Sequence, residues 1–243
     1  MQVDFILQGK GGVGKSLIAA LLAQHYVARG ITPLLAIDTD PVNATFAGYK
    51  AFGATTLNIM DDADINPRAF DELIERILTE GEAGTPAAIV DNGASTFVPL
   101  CSYMLQNGVV GLLAEAGHTV RIHTVITGGQ ALMDTMQGFV SLAGNIADVG
   151  LVVWINEFFG KPVHNGKRFE ESKAYKDHAG RIQGMVTIPE VKKETFGRDM
   201  MKLLDRRATF AEADASSDFG VMERQRLRMI WRNLDGQMAR ANL

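Results

Sequence analysis

Val3-Asp4-Phe5-Ile6-Leu7-Gln8 runs into Gly9-Lys10-Gly11-Gly12-Val13-Gly14-Lys15-Ser16 and on into Leu17-Ile18-Ala19, and this stretch decides the architecture. The first six residues are mostly apolar without strict alternation, as in a strand covered on both faces. The next eight match G-x-x-x-x-G-K-[ST]. Their glycines let the backbone curl so that N–H groups point inward at phosphate oxygens, and the N-terminus of the helix that follows adds positive potential. Strand, glycine loop and helix together make a phosphate cradle. Its candidate residues are Gly11, Gly12, Val13, Gly14, Lys15, Ser16 and Leu17, with Lys15 placed to reach β- and γ-phosphates and the Ser16 hydroxyl to ligate Mg²⁺.

Outward from the loop, short apolar runs alternate with amphipathic stretches. Val3–Gln8, Pro33–Asp38, Ala87–Asp91, Thr119–Ile126, Leu151–Asn156 and Gly184–Ile188 read as strands. Ser16–Arg29, stopped by Gly30, reads as a helix, as do Pro67–Leu78, capped by Asn66, and Gln130–Asn145 after a Thr-Gly-Gly turn. The alternation predicts an α/β fold: a three-layer sandwich with a mainly parallel sheet and helices on both faces. No repeat or linker interrupts it, so 1–243 is expected to be one domain whose portion from about 190 is helical and basic.

The totals agree. With 47% hydrophobic and 21% charged residues, the 243-residue chain has the composition of an ordinary globular protein. Its single cysteine, Cys101, excludes an intramolecular disulfide and a four-thiolate metal site within one chain. The cysteine count, the lack of a signal peptide at Met1 and the lack of an apolar run of roughly 20 residues lead us to expect a cytoplasmic protein. The net charge of −4 is uneven: residues 1–160 hold 7 Lys/Arg against 16 Asp/Glu, and residues 161–243 hold 17 against 12. The later excess gathers at Lys192, Lys193, Arg206, Arg207, Arg224, Arg226, Arg228 and Arg232. Two such surfaces brought together would suit non-specific duplex DNA; a solvated helical face is the plainer reading.

The extra lysine narrows the family. Lys10-Gly11-Gly12-Val13-Gly14-Lys15-Ser16 resembles the deviant Walker A signature of the SIMIBI ATPases, the group that contains MinD, the ParA partition ATPases, the nitrogenase iron protein and the arsenite and tail-anchor ATPases. In those relatives the first lysine crosses a dimer interface to the partner's nucleotide, as an arginine finger does. The resemblance therefore implies an ATP-dependent homodimer, with Lys10, Lys15 and Asp40 as catalytic residues. Ala36-Ile37-Asp38-Thr39-Asp40-Pro41 resembles the family's switch I, implying that Asp38 holds a Mg²⁺-bound water and Asp40 orients the attacking water. Ala87–Asp91 reads as a Walker B strand that delivers Asp91 to the metal's outer shell. Asn92-Gly93-Ala94-Ser95-Thr96 departs from the usual small-Pro-Gly switch II, although Gly93 still allows close backbone approach. Asn156 ends a strand where relatives read the adenine edge, and Gly184-Met185-Val186-Thr187-Ile188-Pro189-Glu190 resembles the loop that closes over the base. Glu157-Phe158-Phe159 follows Asn156 in place of a guanine motif, which favours ATP over GTP.

Longer phrases at 40–50, 91–97, 123–132 and 152–160 look like the TraL group, MinD/ParA-like ATPases of plasmid conjugal-transfer regions. That likeness implies service to conjugation or plasmid maintenance, with conjugation-machinery proteins as partners. Competing readings carry their own requirements. An iron–sulfur reductase of this family needs two thiolates per subunit, where Cys101 gives one. A membrane switch needs a free amphipathic C-terminal helix, for which Leu227, Ile230, Trp231, Leu234 and Met238 share a face, although packing on the domain is the stronger expectation. A ligase or kinase similar to dethiobiotin synthetase would not need Lys10. A nucleotide-gated binding module would turn over negligibly. Tyr49, Lys50 and the acidic segment Thr56–Asp64 form a candidate partner contact.

Overall fold

The computed structural model describes residues 1–61 and 64–243. Strands β1 (Gln2–Ile6), β2 (Leu34–Asp38), β3 (Thr55–Thr56), β6 (Ala87–Asp91), β7 (Thr119–Thr127), β8 (Gly150–Asn156) and β11 (Ile182–Ile188) form one sheet in the order β11-β8-β7-β1-β6-β2-β3. Every pairing in it is parallel. Two short antiparallel hairpins stand apart, β4–β5 (Met60–Asp61, Asp64–Ile65) and β9–β10 (Val163–His164, Lys167–Arg168). Asp62 and Ala63, within the acidic segment expected to contact a partner, lie outside the described residues.

The helices are α1 (Lys15–Ala28), α2 (Ala69–Glu82), α3 (Phe97–Gln106), α4 (Val109–Glu115), α5 (Leu132–Asn145), α6 (Lys173–His178), α7 (Arg198–Asp205), α8 (Phe210–Ala215) and α9 (Val221–Arg240). Strand parity sorts them into two layers, because successive side chains leave a strand on opposite faces. Val3 and Phe5 of β1 pack with Phe70, Leu100, Leu113 and Phe139 of α2 to α5. Ile6, on the other face, joins Ile18 of α1, Leu203 of α7 and Leu227 of α9. The expected three-layer α/β sandwich is what forms.

Boundaries moved where side chains compete for the backbone. The helix expected from Pro67 starts at Ala69 and runs to Glu82. The Asn66 carboxamide oxygen accepts from Arg68 N at 3.0 Å and the Asn66 carbonyl from Ala69 N at 3.0 Å, so Pro67 sits in a turn rather than in the first helical position. The apolar face of α9 is consumed by the core, with Leu227, Ile230, Leu234 and Met238 all buried, so it is not free for a membrane surface. No single described helix is long and apolar enough to cross a membrane.

The basic C-terminal third is less free than its count suggests. Arg206 pairs with Asp218, Arg226 with Asp199 and Arg228 with Asp214, so three of the eight cations expected to form a basic surface face carboxylates.

Candidate functional site

β1 is the centre of the sheet, between β6 and β7, and the chain leaves it in opposite directions. Such a switch point opens a crevice beyond the carboxyl ends of the strands. The Gly9–Ser16 loop fills that crevice. Gly12 (φ 73°) and Gly14 (φ 104°) adopt the left-handed conformation that side chains resist. Among the described residues no protein acceptor takes the N–H groups from Gly11 to Leu17; the first paired amide in α1 is Ile18 N, bonded to the Gly14 carbonyl at 3.0 Å. Seven consecutive unpaired donors at a helix N-terminus make an anion cradle.

The loop is braced by buried amides on both sides. Gln8 accepts from Gly9 N at 2.9 Å and donates to the carbonyls of Val125 (3.0 Å) and Thr135 (3.1 Å). Asn156 donates to the Val13 carbonyl at 2.9 Å and accepts from Phe158 N at 3.1 Å. Asn156 is thus committed to holding the loop, and its Nδ2 would lie 3.0 Å from a Cβ at Gly14.

Strand register sets the carboxylates. Asp38 pairs across to Asp91, and Asp91 to Ile6, so Asp91 ends the strand next to the one that feeds the loop and Asp38 ends the strand beyond it. Asp38 is buried; its oxygens accept from Asp40 N and Ala47 N, each at 3.0 Å. Burial raises its pKa, against the pull of those backbone donors. Asp91 is 1% exposed, and among the described residues neither carboxylate oxygen has a hydrogen-bond partner of good geometry. Burial pushes its pKa up to about 7, with Asp38 and Asp40 adding to the rise and the Ser16 hydroxyl and Lys15 opposing it. Lys15 is buried as well. Burial lowers its pKa while Asp91 and Asp40 pull back, and its ammonium donates to the Lys10 carbonyl at 3.1 Å.

An orphaned carboxylate this deep is unfavourable unless a cation meets it. Asp91, Asp38 and the Ser16 hydroxyl supply hard oxygen donors that fit Mg²⁺. The described residues contain no group of three or more His, Cys, Asp or Glu able to hold a metal alone. Mg²⁺ keeps several waters and binds through one or two protein oxygens plus phosphates, so a sparse donor set suits it.

Asp40 lies at the edge of a cavity of about 580 Å³ that also reaches Lys15, Ser16, Asn43 and Ser95. Its Oδ1 accepts from Val42 N (2.9 Å) and Asn43 N (3.0 Å), a turn that shapes the segment. A Cβ at Gly93 would come within 3.0 Å of Asp40 Cα and Cγ, so any larger residue would push the two segments apart by a few tenths of an ångström. Asn92 ties them further, accepting from Thr39 Oγ1 at 3.0 Å and Thr96 Oγ1 at 2.6 Å. This buried Asn92 cluster and the Gln8 brace escaped the sequence reading. The one available signal was a polar residue just past the strand-end aspartate with a threonine four residues on.

Three expected residues stand apart from this group. Lys10 directs its ammonium to Asp134 on α5, at 2.7 Å, with the side chains 44% and 52% exposed. Glu190 is exposed beside a cavity of about 780 Å³ that Lys10, Gly128 and Gly129 also line. Pro189 joins Leu17, Leu21, Ile188 and Met200 around an almost wholly apolar cavity of about 210 Å³ next to Gly14 and Asn156.

Comparison with known proteins follows the same outline. The chain is 50% identical to a Protein TraL of Escherichia coli across 99% of its own length and 98% of the relative's. A second Escherichia coli Protein TraL is 48% identical, over 98% of this chain and 97% of that one. Among solved structures, the MinD cell division protein of Aquifex aeolicus superposes with a TM-score of 0.53 at 15% identity, covering 97% of this chain and 98% of its own. The septum site-determining protein MinD of Pyrococcus horikoshii OT3, complexed with Mg-ADP, superposes at 0.52 with 16% identity and 99% coverage of each chain. No protein-family model matches the sequence. With half its residues identical over nearly the whole length of both chains, and with the P-loop fold of MinD beneath them, the chain belongs to the TraL family.

Proposed function

We propose that the chain binds and hydrolyses Mg-ATP at the Gly9–Ser16 loop and acts as a nucleotide-dependent dimeric switch in conjugal DNA transfer or plasmid maintenance. The observation that carries this reading is the Asp91 carboxylate, buried without a partner beside Asp38, Ser16 and Lys15 at the mouth of a cradle of unpaired amides. The relatives named TraL support the conjugal setting. The Mg-ADP in the fold neighbour supports the choice of an adenine nucleotide.

Each group has a task in this reading. The Gly11–Leu17 amides and Lys15 bind the phosphates, and Ser16, Asp38 and Asp91 hold Mg²⁺ and its waters. When bound, the ion neutralises charge on the phosphate oxygens. The base lies in the apolar cavity, under Pro189 and against Leu17. Asn156 fixes the loop from below through Val13. Glu190 stands at the rim. Asp40 orients the attacking water with the oxygen that the turn leaves free. Lys10, half-exposed and held at Asp134, is the cation available to a partner subunit's nucleotide; delivered in trans, it stabilises the transferring phosphoryl group.

Asp40→Ala tests the reading. Hydrolysis should fall by about 10²–10⁴, the range for a positioned base, while ATP affinity stays within a few-fold. A variant with wild-type turnover would take the water-positioning role away from Asp40. A wild-type protein that binds Mg-ATP without hydrolysing it would leave a nucleotide-gated binding module.

A further inference from the structure

Beside α5, the β9–β10 hairpin and the start of α6 close a separate cavity of about 250 Å³. The hairpin has a defined turn and register. Asn165 (φ 50°) and Gly166 (φ 75°) make a two-residue turn with both residues left-handed, and Lys167 registers opposite His164. Opposed residues share a face, so His164 and Lys167 project together. Arg168 and Lys173 join them at the cavity wall, and all four are exposed. No carboxylate among the described residues lines it. Among the described residues Lys167, Arg168 and Lys173 enter no ion pair, whereas Arg206, just past α7, and Arg226 and Arg228 of α9 are paired.

The floor has the opposite character. Phe169 is fixed edge-on to Phe139 at 5.1 Å and belongs to the core. Met133 and Met136 of α5 complete it, and Met133 is 55% exposed. Unbranched thioethers adapt to whatever apolar group is pressed on them. Cations around an apolar, deformable floor match a ligand with carboxylates flanking an apolar side chain. A phosphate backbone would satisfy the rim alone and leave the methionines uncovered.

We propose that this cavity docks an acidic segment of a partner protein, anchored by an apolar side chain on Met133 and Met136. The place is consequential because Asp134, between those methionines, is the residue that holds Lys10. The docking claim itself does not depend on nucleotide hydrolysis.

The test uses the full chain labelled with ¹³C at its methionine methyls and a fluorescein-tagged short peptide of alternating glutamate and leucine. The peptide should shift the Met133 and Met136 signals and leave buried Met104 in place. Its affinity should fall at least about tenfold, or about 1.4 kcal/mol, in Lys167→Glu/Lys173→Glu, and likewise when glutamine replaces its glutamates. Met133→Glu, a single change at an exposed position, should weaken it too and serves if the double variant fails to melt cooperatively. No methyl shift, or equal binding by the variants, overturns the proposal. So does a short DNA duplex that shifts these methyls where the peptide does not, since the site would then belong to nucleic acid.

Discussion

Asp4 and Asp91 stand on neighbouring strands, β1 and β6, both sealed from solvent, and their surroundings are opposite. Asp4 accepts from Gln2 Nε2, Arg121 Nε and His123 Nε2, each at 3.0 Å, and from the Tyr26 hydroxyl at 2.5 Å. Trp154 donates to His123 Nδ1 at 3.0 Å, which leaves the proton on Nε2 for Asp4. Burial alone would raise the Asp4 pKa, but His123, Arg121 and Tyr26 hold it below the ordinary carboxylate value. Arg121 also donates to the Asn242 carbonyl at 2.9 Å, so the cluster ties the sheet to the end of α9. Asp91 has none of this. One carboxylate is finished within the fold, and the other is buried without a partner among the described residues.

The largest effect separating the two is on stability. Asp4→Ala leaves Arg121 buried without its counter-ion, which destabilises by about 3–5 kcal/mol. At roughly 2–4 °C per kcal/mol for a chain of this size, calorimetry should show melting at least about 6 °C lower. Asp91→Asn, measured without nucleotide, should melt no lower than wild type. An Asp4→Ala protein that melts with wild type would break the contrast.

The pH dependence is next in size, and the two acids tilt it in opposite senses. Asp91 has its folded pKa raised from 3.8 to about 7. Between those values the folded chain keeps a proton that the unfolded chain has lost, so stability falls as pH rises through that window and levels off above about 7. The full span corresponds to about 4 kcal/mol as an upper bound. Asp4, with its pKa lowered, contributes stability above the unfolded value that is lost only as pH falls below it. Urea unfolding of the nucleotide-free protein from pH 5 to 8 should show the decline, and Asp91→Asn should flatten it. A decline that survives in Asp91→Asn would place the titrating group elsewhere.

How much of this was legible in the sequence depended on distance along the chain. The loop, Asp38 and Asp91 could be read because strand, glycine turn and helix are contiguous, and because parallel neighbours align their ends. The Asp4 cluster could not, since its partners lie up to 119 residues away. The same holds for the basic third, where Arg226 meets Asp199 across 27 residues and a running charge count sees no pairing. Helices α3 and α4 went unread because a turn at Asn107–Gly108 divides an apolar stretch into pieces too short to show a period. The β9–β10 hairpin was missed although Asn165-Gly166 is a direct turn signal; strands of two residues give no alternation to support it.

The smallest stability effect belongs to Lys10 and Asp134. Their exposed pair contributes about 0–1 kcal/mol, so Lys10→Ala and Asp134→Ala should melt close to wild type. Lys10→Ala should still bind nucleotide yet lose turnover by about 10³ or more, as expected for a finger acting in trans, and stay monomeric in sedimentation with a non-hydrolysable ATP analogue that dimerises wild type. Equal turnover and equal mass for the two proteins would remove the role in trans.

The central claim is that Asp91 is kept unfinished for a cation brought by a nucleotide on the Gly9–Ser16 loop. Thermal unfolding with and without Mg-ATP tests it most directly. With free nucleotide near 100 times its dissociation constant, wild type should gain about 2.7 kcal/mol, and Lys15→Ala should gain little or nothing. The gain should also be larger at pH 8 than at pH 5, because Mg²⁺ competes with the proton on Asp91. No shift with Mg-ATP, or the same shift in Lys15→Ala, would contradict the account.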